Sequence, residues 1–114
     1  MTDDFMNSPE FQALIKEYLD YLNTSLPGVR SNLSDKLYKD VYKFGHNIKG
    51  TGTSYGFENL SKIGAEICNK IKAEDYSTLG SLLDKVDTIL TEALSWIQHF
   101  KKLGTKKAGS SQPF

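Results

Sequence analysis

The sequence of 114 residues holds few of the residue types that carry redox, metal or nucleophilic chemistry: one cysteine, two histidines and one tryptophan. A single cysteine, Cys68, leaves no partner for an intramolecular disulfide. His46 and His99 are far apart in sequence, so no metal-ligand cluster can be assigned. No Ser-His-Asp or Cys-His constellation can be assembled either. Net charge is lacking as well, with 14 basic against 14 acidic residues, which disfavours nucleic acid or an anionic membrane as partner. No apolar run approaches the roughly 18 residues of a membrane span. The opening MTDDFMNSPE has neither the basic start nor the apolar stretch of a signal peptide, so the expected compartment is the cytoplasm. Repeats of roughly 20 to 50 residues are missing, and strand-like alternation is nowhere convincing.

Helical spacing is what remains, and it runs through most of the chain. Phe11, Leu14, Ile15, Tyr18, Leu19 and Leu22 keep an i, i+3, i+4 rhythm behind Ser8 as N-cap, Pro9 at the first helical position and Glu10 in the first turn. The seam continues through Leu26, Val29 and Leu33, with a kink or break expected near Pro27. A second helix is expected to start at Ser34-Asp35, place Leu37, Val41, Phe44, Ile48 and Tyr55 inward, and stop at Gly56. A third runs from about Phe57 with Leu60, Ile63, Ile67 and Ile71 inward. Asp75 or Ser77 then opens a fourth, whose stripe is Leu79, Leu82, Val86, Ile89, Ala93, Trp96 or Ile97, Phe100 and Leu103. Four amphipathic helices on short connections predict an all-α fold over 8–103, an antiparallel four-helix bundle of up-down-up-down order. The polar remainder, 104–114, is expected to be a flexible tail. Its lysines and those just before it, Lys101, Lys102, Lys106 and Lys107, read as a solvated run, since no aromatic residues interleave them.

One stretch resists its own helix. FGHNIKGTGTSYG, 44–56, carries four of the nine glycines and one of the two histidines, although each interior glycine weakens a helix by about 1 kcal/mol relative to alanine. At about 100° per residue His46 lies roughly 200° from both Phe44 and Ile48, on the face away from the core. Tyr42, Lys43, Lys49 and Gly50 share that face, with Thr53 one turn further on. The face therefore holds an imidazole, two ammonium groups that can reach it, and a position with no side chain. Such a gap admits a bulky group on the ring or a closely approaching partner surface. Lys49, about 5–6 Å away by helix geometry, adds positive charge and accepts no hydrogen bond. Gly45 and Gly52 lie off this face and are expected to permit close packing on a neighbouring helix. GTGTSYG lacks the preceding strand and the GK[ST] ending of a phosphate-cradling loop.

HNIKGTGTSYG resembles the His-x-x-Lys-Gly-x-x-x-x-x-Gly signature of histidine-containing phosphotransfer (HPt) domains, with His46, Lys49, Gly50 and Gly56 in matching places. The flanking apolar pattern is similar too, Leu37, Val41 and Phe44 before the histidine and Leu60, Ile63 and Ile67 after Gly56. The resemblance spans roughly residues 11–94. It implies a monomeric bundle in a two-component phosphorelay, with His46 reversibly phosphorylated by exchange with an aspartate of a response-regulator receiver domain, and a hybrid histidine kinase as a further partner. It implies a phosphocarrier rather than a free-standing enzyme, with no cofactor or metal of its own, and Mg²⁺ on the receiver. Lys49 and Gly50 would act beside His46, and Tyr42, Lys43 and Thr53 would dock the partner. Two positions depart from the pattern. Gly45 stands where the family usually has alanine, and Cys68 stands where many members place a Glu or Gln opposite the histidine, Glu66 being two residues off. That departure favours a rival expectation, a non-phosphorylated adaptor that binds and sequesters a receiver or kinase domain.

Overall fold

A computed structural model describes the backbone of residues 9–104 and the side chains of residues 9–98. The fold is all-helical: α1 (Pro9–Ser34), α2 (Tyr38–Thr51), a single 3₁₀ turn (Thr53–Tyr55), α3 (Glu58–Lys72) and α4 (Leu79–Gly104). No strand occurs among the described residues. Ser8 and residues 105–114 lie outside them, as do the side chains of His99, Phe100, Lys101, Lys102 and Leu103. No helix among the described residues is long and apolar enough to cross a membrane.

The inward stripes meet in one core. Leu19 and Leu22 of α1, Val41 and Ile48 of α2, Leu60 and Ile67 of α3, and Leu79, Val86 and Leu90 of α4 are all inaccessible to solvent. Packing closes a ring of neighbours, α1 against α2 and α4, and α3 against α2 and α4, with the α2–α3 contact the most extensive. The α1–α4 side adds an exposed ion pair, Arg30 Nη1 to Asp84 Oδ1 at 2.8 Å. A pair of that exposure contributes at most about 1 kcal/mol, so the apolar seam is what holds those helices together.

α4 opens at Leu79 rather than at Asp75 or Ser77; at α1 and α2 two boundaries differ from expectation. Of the kink or break expected near Pro27 the break does not occur: α1 runs uninterrupted from Pro9 to Ser34. Proline removes one N–H from the ladder, but Pro27 and Asn23, whose carbonyl loses that donor, are both exposed, so water can satisfy the freed oxygen. α2 starts later than Ser34-Asp35. Ser34 closes α1, Lys36 takes a left-handed φ of 63°, and Leu37, expected inward, sits at the N-cap and is 47% exposed. Finally, α2 ends at Thr51 rather than running to Gly56. Gly56, at φ 89°, caps the 3₁₀ turn with its N–H donating to the Thr53 carbonyl at 3.0 Å. This early stop lets Phe57 bury its ring while its N–H donates to the Gly52 carbonyl at 2.7 Å.

The turn is anchored to α1. Thr51 Oγ1 donates to the Asn47 carbonyl at 2.8 Å, and since a hydroxyl has one proton, the 2.7 Å contact with Tyr18 Oη has the tyrosine as donor. Tyr55 stacks on the Tyr18 ring at 4.2 Å between centroids, half-buried at the edge of the core. Burial pushes the Tyr18 phenol above its ordinary range, with the Thr51 hydrogen bond opposing and the Tyr55 phenol adding to the rise.

Candidate functional site

The site rests on the α2–α3 crossing, and glycine makes that crossing possible. A Cβ on Gly45 would stand 2.8 Å from Ile67 Cγ2 and 3.2 Å from the Gly64 carbonyl oxygen. One on Gly64 would collide with the Gly45 carbonyl oxygen and lie 2.6 Å from the Lys49 nitrogen. One on Gly52 would lie 2.7 Å from the Ser61 nitrogen and 2.9 Å from the Phe57 carbonyl oxygen. Gly45 and Gly52 therefore serve close packing, as their place off the histidine face led us to expect. Full burial of Ile48 and Ile67 at this contact stabilises by about 1.5–3 kcal/mol each, more than the roughly 1 kcal/mol that each glycine takes from its helix. Ser61 adds a polar tie, its hydroxyl donating to the Lys49 carbonyl at 2.6 Å.

On the opposite side of α2, His46, Lys43, Lys49 and Gly50 are exposed and Tyr42 is half-buried. A Cβ on Gly50 would meet nothing within 4 Å. No internal packing demands glycine there, in contrast with Gly45 and Gly52. Of the ion pairs found among the described residues, namely Lys16–Asp20, Arg30–Asp84, Arg30–Asp87 and Lys70–Asp75, none uses Lys43 or Lys49. Their charges are left without an ion-pair partner among the described residues, at positions three residues before and three after His46. The Tyr42 ring runs parallel to that of His46, at 7° and 6.3 Å between centroids.

Thr53, expected on the docking face, is exposed but belongs to the 3₁₀ turn. It borders an open groove between that turn with the start of α3 and the Ile89–Trp96 stretch of α4.

Cys68 is buried at the α2–α3 seam, and its thiol reaches the Tyr42 carbonyl oxygen at 3.8 Å. Burial raises the thiol above its ordinary range, while the Lys49 and Lys72 ammonium charges pull it back. Glu66 is exposed. Among the described residues no group of three or more His, Cys, Asp or Glu side chains is placed to hold a metal ion.

Sequence reasoning missed Gly64 and Ser61. The signal for Gly64 was present: it falls four residues after Leu60 and three before Ile67, on the inward ridge, where a missing side chain marks a close approach. Ser61 could be found only with the crossing in hand, because its acceptor is a backbone carbonyl on another helix.

Comparison with protein-family models, with curated proteins and with solved structures finds no match in any of the three. The functional reading therefore stands on the geometry of α2 and on the motif it carries.

Proposed function

We propose that this chain is a histidine phosphotransfer protein, an up-down-up-down antiparallel four-helix bundle whose His46 shuttles a phosphoryl group to and from receiver-domain aspartates. The observation that carries the reading is Gly50: a helix-weakening residue kept at a position with open space around it, one turn after an exposed histidine and next to the free ammonium of Lys49. A gap that the protein does not fill itself is suited to an incoming surface. The ring of helix neighbours is compatible with the bundle.

In the transfer step the Nε2 lone pair of neutral His46 attacks phosphorus, the O–P bond of the aspartyl phosphate breaks, and its electron pair stays on the carboxylate. Nδ1 keeps its proton, so the phosphorylated ring carries a positive charge beside the new dianion. Lys49, and Lys43 on the other flank, stabilise the negative charge on the transferring group. Mg²⁺ and the leaving aspartate belong to the receiver, which docks over Tyr42, Lys43, Gly50 and Thr53 in the cytoplasm. An interface that must release its partner after each transfer should be small, under about 1,200 Å² in total.

The test is uptake of acid-labile, base-stable phosphate from a phosphorylated receiver domain. Wild type should take it up and His46→Gln should not, with thermal stability changed by less than about 0.5 kcal/mol because the side chain is exposed. Uptake by His46→Gln would sink the assignment. Cys68, in the place of a side-chain acceptor and turned to the Tyr42 backbone, favours a second reading, a phosphate-blind adaptor. In that case binding of a receiver would survive His46→Ala and ignore the receiver's phosphorylation state.

A further inference from the structure

An exposed histidine on a helix is free to spin. Rotation about its Cβ–Cγ bond is broad, so the helix position alone does not fix the plane of the imidazole. Neither Glu66 nor Cys68 of α3 holds the ring: among the described residues no ion pair joins Glu66 to His46, and the Cys68 thiol is engaged with the Tyr42 carbonyl. What lies against His46 is the ring of Tyr42, one turn earlier on the same face, parallel within 7° and at a centroid distance of 6.3 Å. This is within the range of offset-stacked aromatic pairs, and i, i+4 spacing is what brings two such rings together on a helix.

We propose that Tyr42 is a positioning residue for His46: its ring sets the plane of the imidazole, and with it the plane in which the attacking nitrogen's lone pair lies. The chemical consequence rests on the phosphotransfer reading, whereas the ring geometry does not. Tyr42 can hold its neighbour because it is itself held. It is half-buried, and its carbonyl, which lies in the helix ladder of the His46 turn, also receives the Cys68 thiol from α3. The turn bearing the histidine is thereby tied to the glycine crossing beneath it. The stack leaves the two-fold flip open, because a ring turned by 180° lies in the same plane; what the Tyr42 ring removes is the freedom around each well, which would otherwise thin the attacking orientation.

The experiment compares wild type, Tyr42→Phe and Tyr42→Leu with phosphoramidate as the phosphoryl donor. In this step the imidazole lone pair attacks phosphorus, the donor's N–P bond breaks, and ammonia leaves from the zwitterionic donor with the electron pair. A donor so small needs no docking surface, so a role of Tyr42 in gripping a protein partner would not register. Tyr42→Phe should phosphorylate within about twofold of wild type and Tyr42→Leu about 3- to 10-fold more slowly. In the resting proteins, the His46 ring-proton resonances should move in Tyr42→Leu and stay in Tyr42→Phe, and wild type should show cross-relaxation between the two rings. Equal rates for wild type and Tyr42→Leu would overturn the proposal, as would a slower Tyr42→Leu whose His46 resonances are unmoved. Absence of cross-relaxation in wild type would overturn it without any variant. If wild type takes up no phosphate, the phosphotransfer reading falls, and the resonances still decide whether Tyr42 holds the ring.

Discussion

The two sides of α2 use the same residue for opposite ends. Gly45 and Gly52 turn towards α3, where an added Cβ would be within 3 Å of existing atoms, while Gly50 turns towards open space, where it would meet nothing. Identical in sequence, these glycines differ in which partner sets the requirement. For Gly45 and Gly52 the partner is internal and visible, and the absent methyl lets a second helix approach. For Gly50 no internal partner exists, so a requirement for glycine there comes from outside the chain. A glycine-rich helix thus joins a tight joint on one face to a vacancy on the other.

Alanine substitutions break this comparison most directly. Gly64→Ala should have the largest effect, about 3 kcal/mol of destabilisation in denaturant unfolding, because its Cβ would meet backbone atoms of α2 that cannot swing away. Gly45→Ala should be milder, about 1–2 kcal/mol, since its closest clash is with the Ile67 side chain and the gain in helix propensity of about 1 kcal/mol offsets part of it. A Gly45→Ala variant less stable than Gly64→Ala would mean that the crossing is centred elsewhere. Gly50→Ala should have the opposite sign, up to about 1 kcal/mol more stable, yet slower in receiver-dependent phosphate uptake. A Gly50→Ala variant that is both less stable and fully active would erase the distinction between the two faces.

The smallest effect expected is in alkali and probes the buried side alone. The Cys68 thiol is held protonated by burial, so its folded pKa lies above its unfolded one. Its contribution to stability is fully present below the unfolded value of about 8.5 and is lost as pH rises towards the folded one, where the unfolded chain binds fewer protons than the folded. Urea midpoints should fall above that pH in wild type and fall less in Cys68→Ala. Equal slopes would place the thiol in a more exposed setting than the α2–α3 seam.

The helical stripes were legible because burial repeats with the turn: Leu60, Ile63 and Ile67 in α3, and Leu79, Leu82 and Val86 in α4, are buried as their spacing indicates. Leu83 and Leu90, also fully buried, escaped because a stripe traced by one residue per turn omits the second ridge of a helix packed on two neighbours. Leu37 misled for another reason. Its spacing fits the stripe, but it stands at the helix end, where the chain is turning and the periodicity no longer dictates direction. The outward face of His46 was legible from angle alone. The partner surfaces at Gly64 and Ser61 were not, since contacts between helices depend on which ridges meet, and neither glycine nor serine contributes to an apolar period.

The order in which parts of the molecule form and open follows from the α2–α3 crossing. Its contacts join segments adjacent along the chain through the short 3₁₀ turn, whereas α1 reaches α4 only after most of the chain has been gathered. Loops that close over fewer residues lose less entropy on forming, and the α2–α3 packing is also the most extensive. The helix hairpin that carries His46 is therefore expected to form first and to be the last to exchange its amide protons. Transient openings of α1 or α4 would leave the histidine's platform standing, and the proposed phosphorylation of His46 would then be less sensitive to partial unfolding than the stability of the whole chain is.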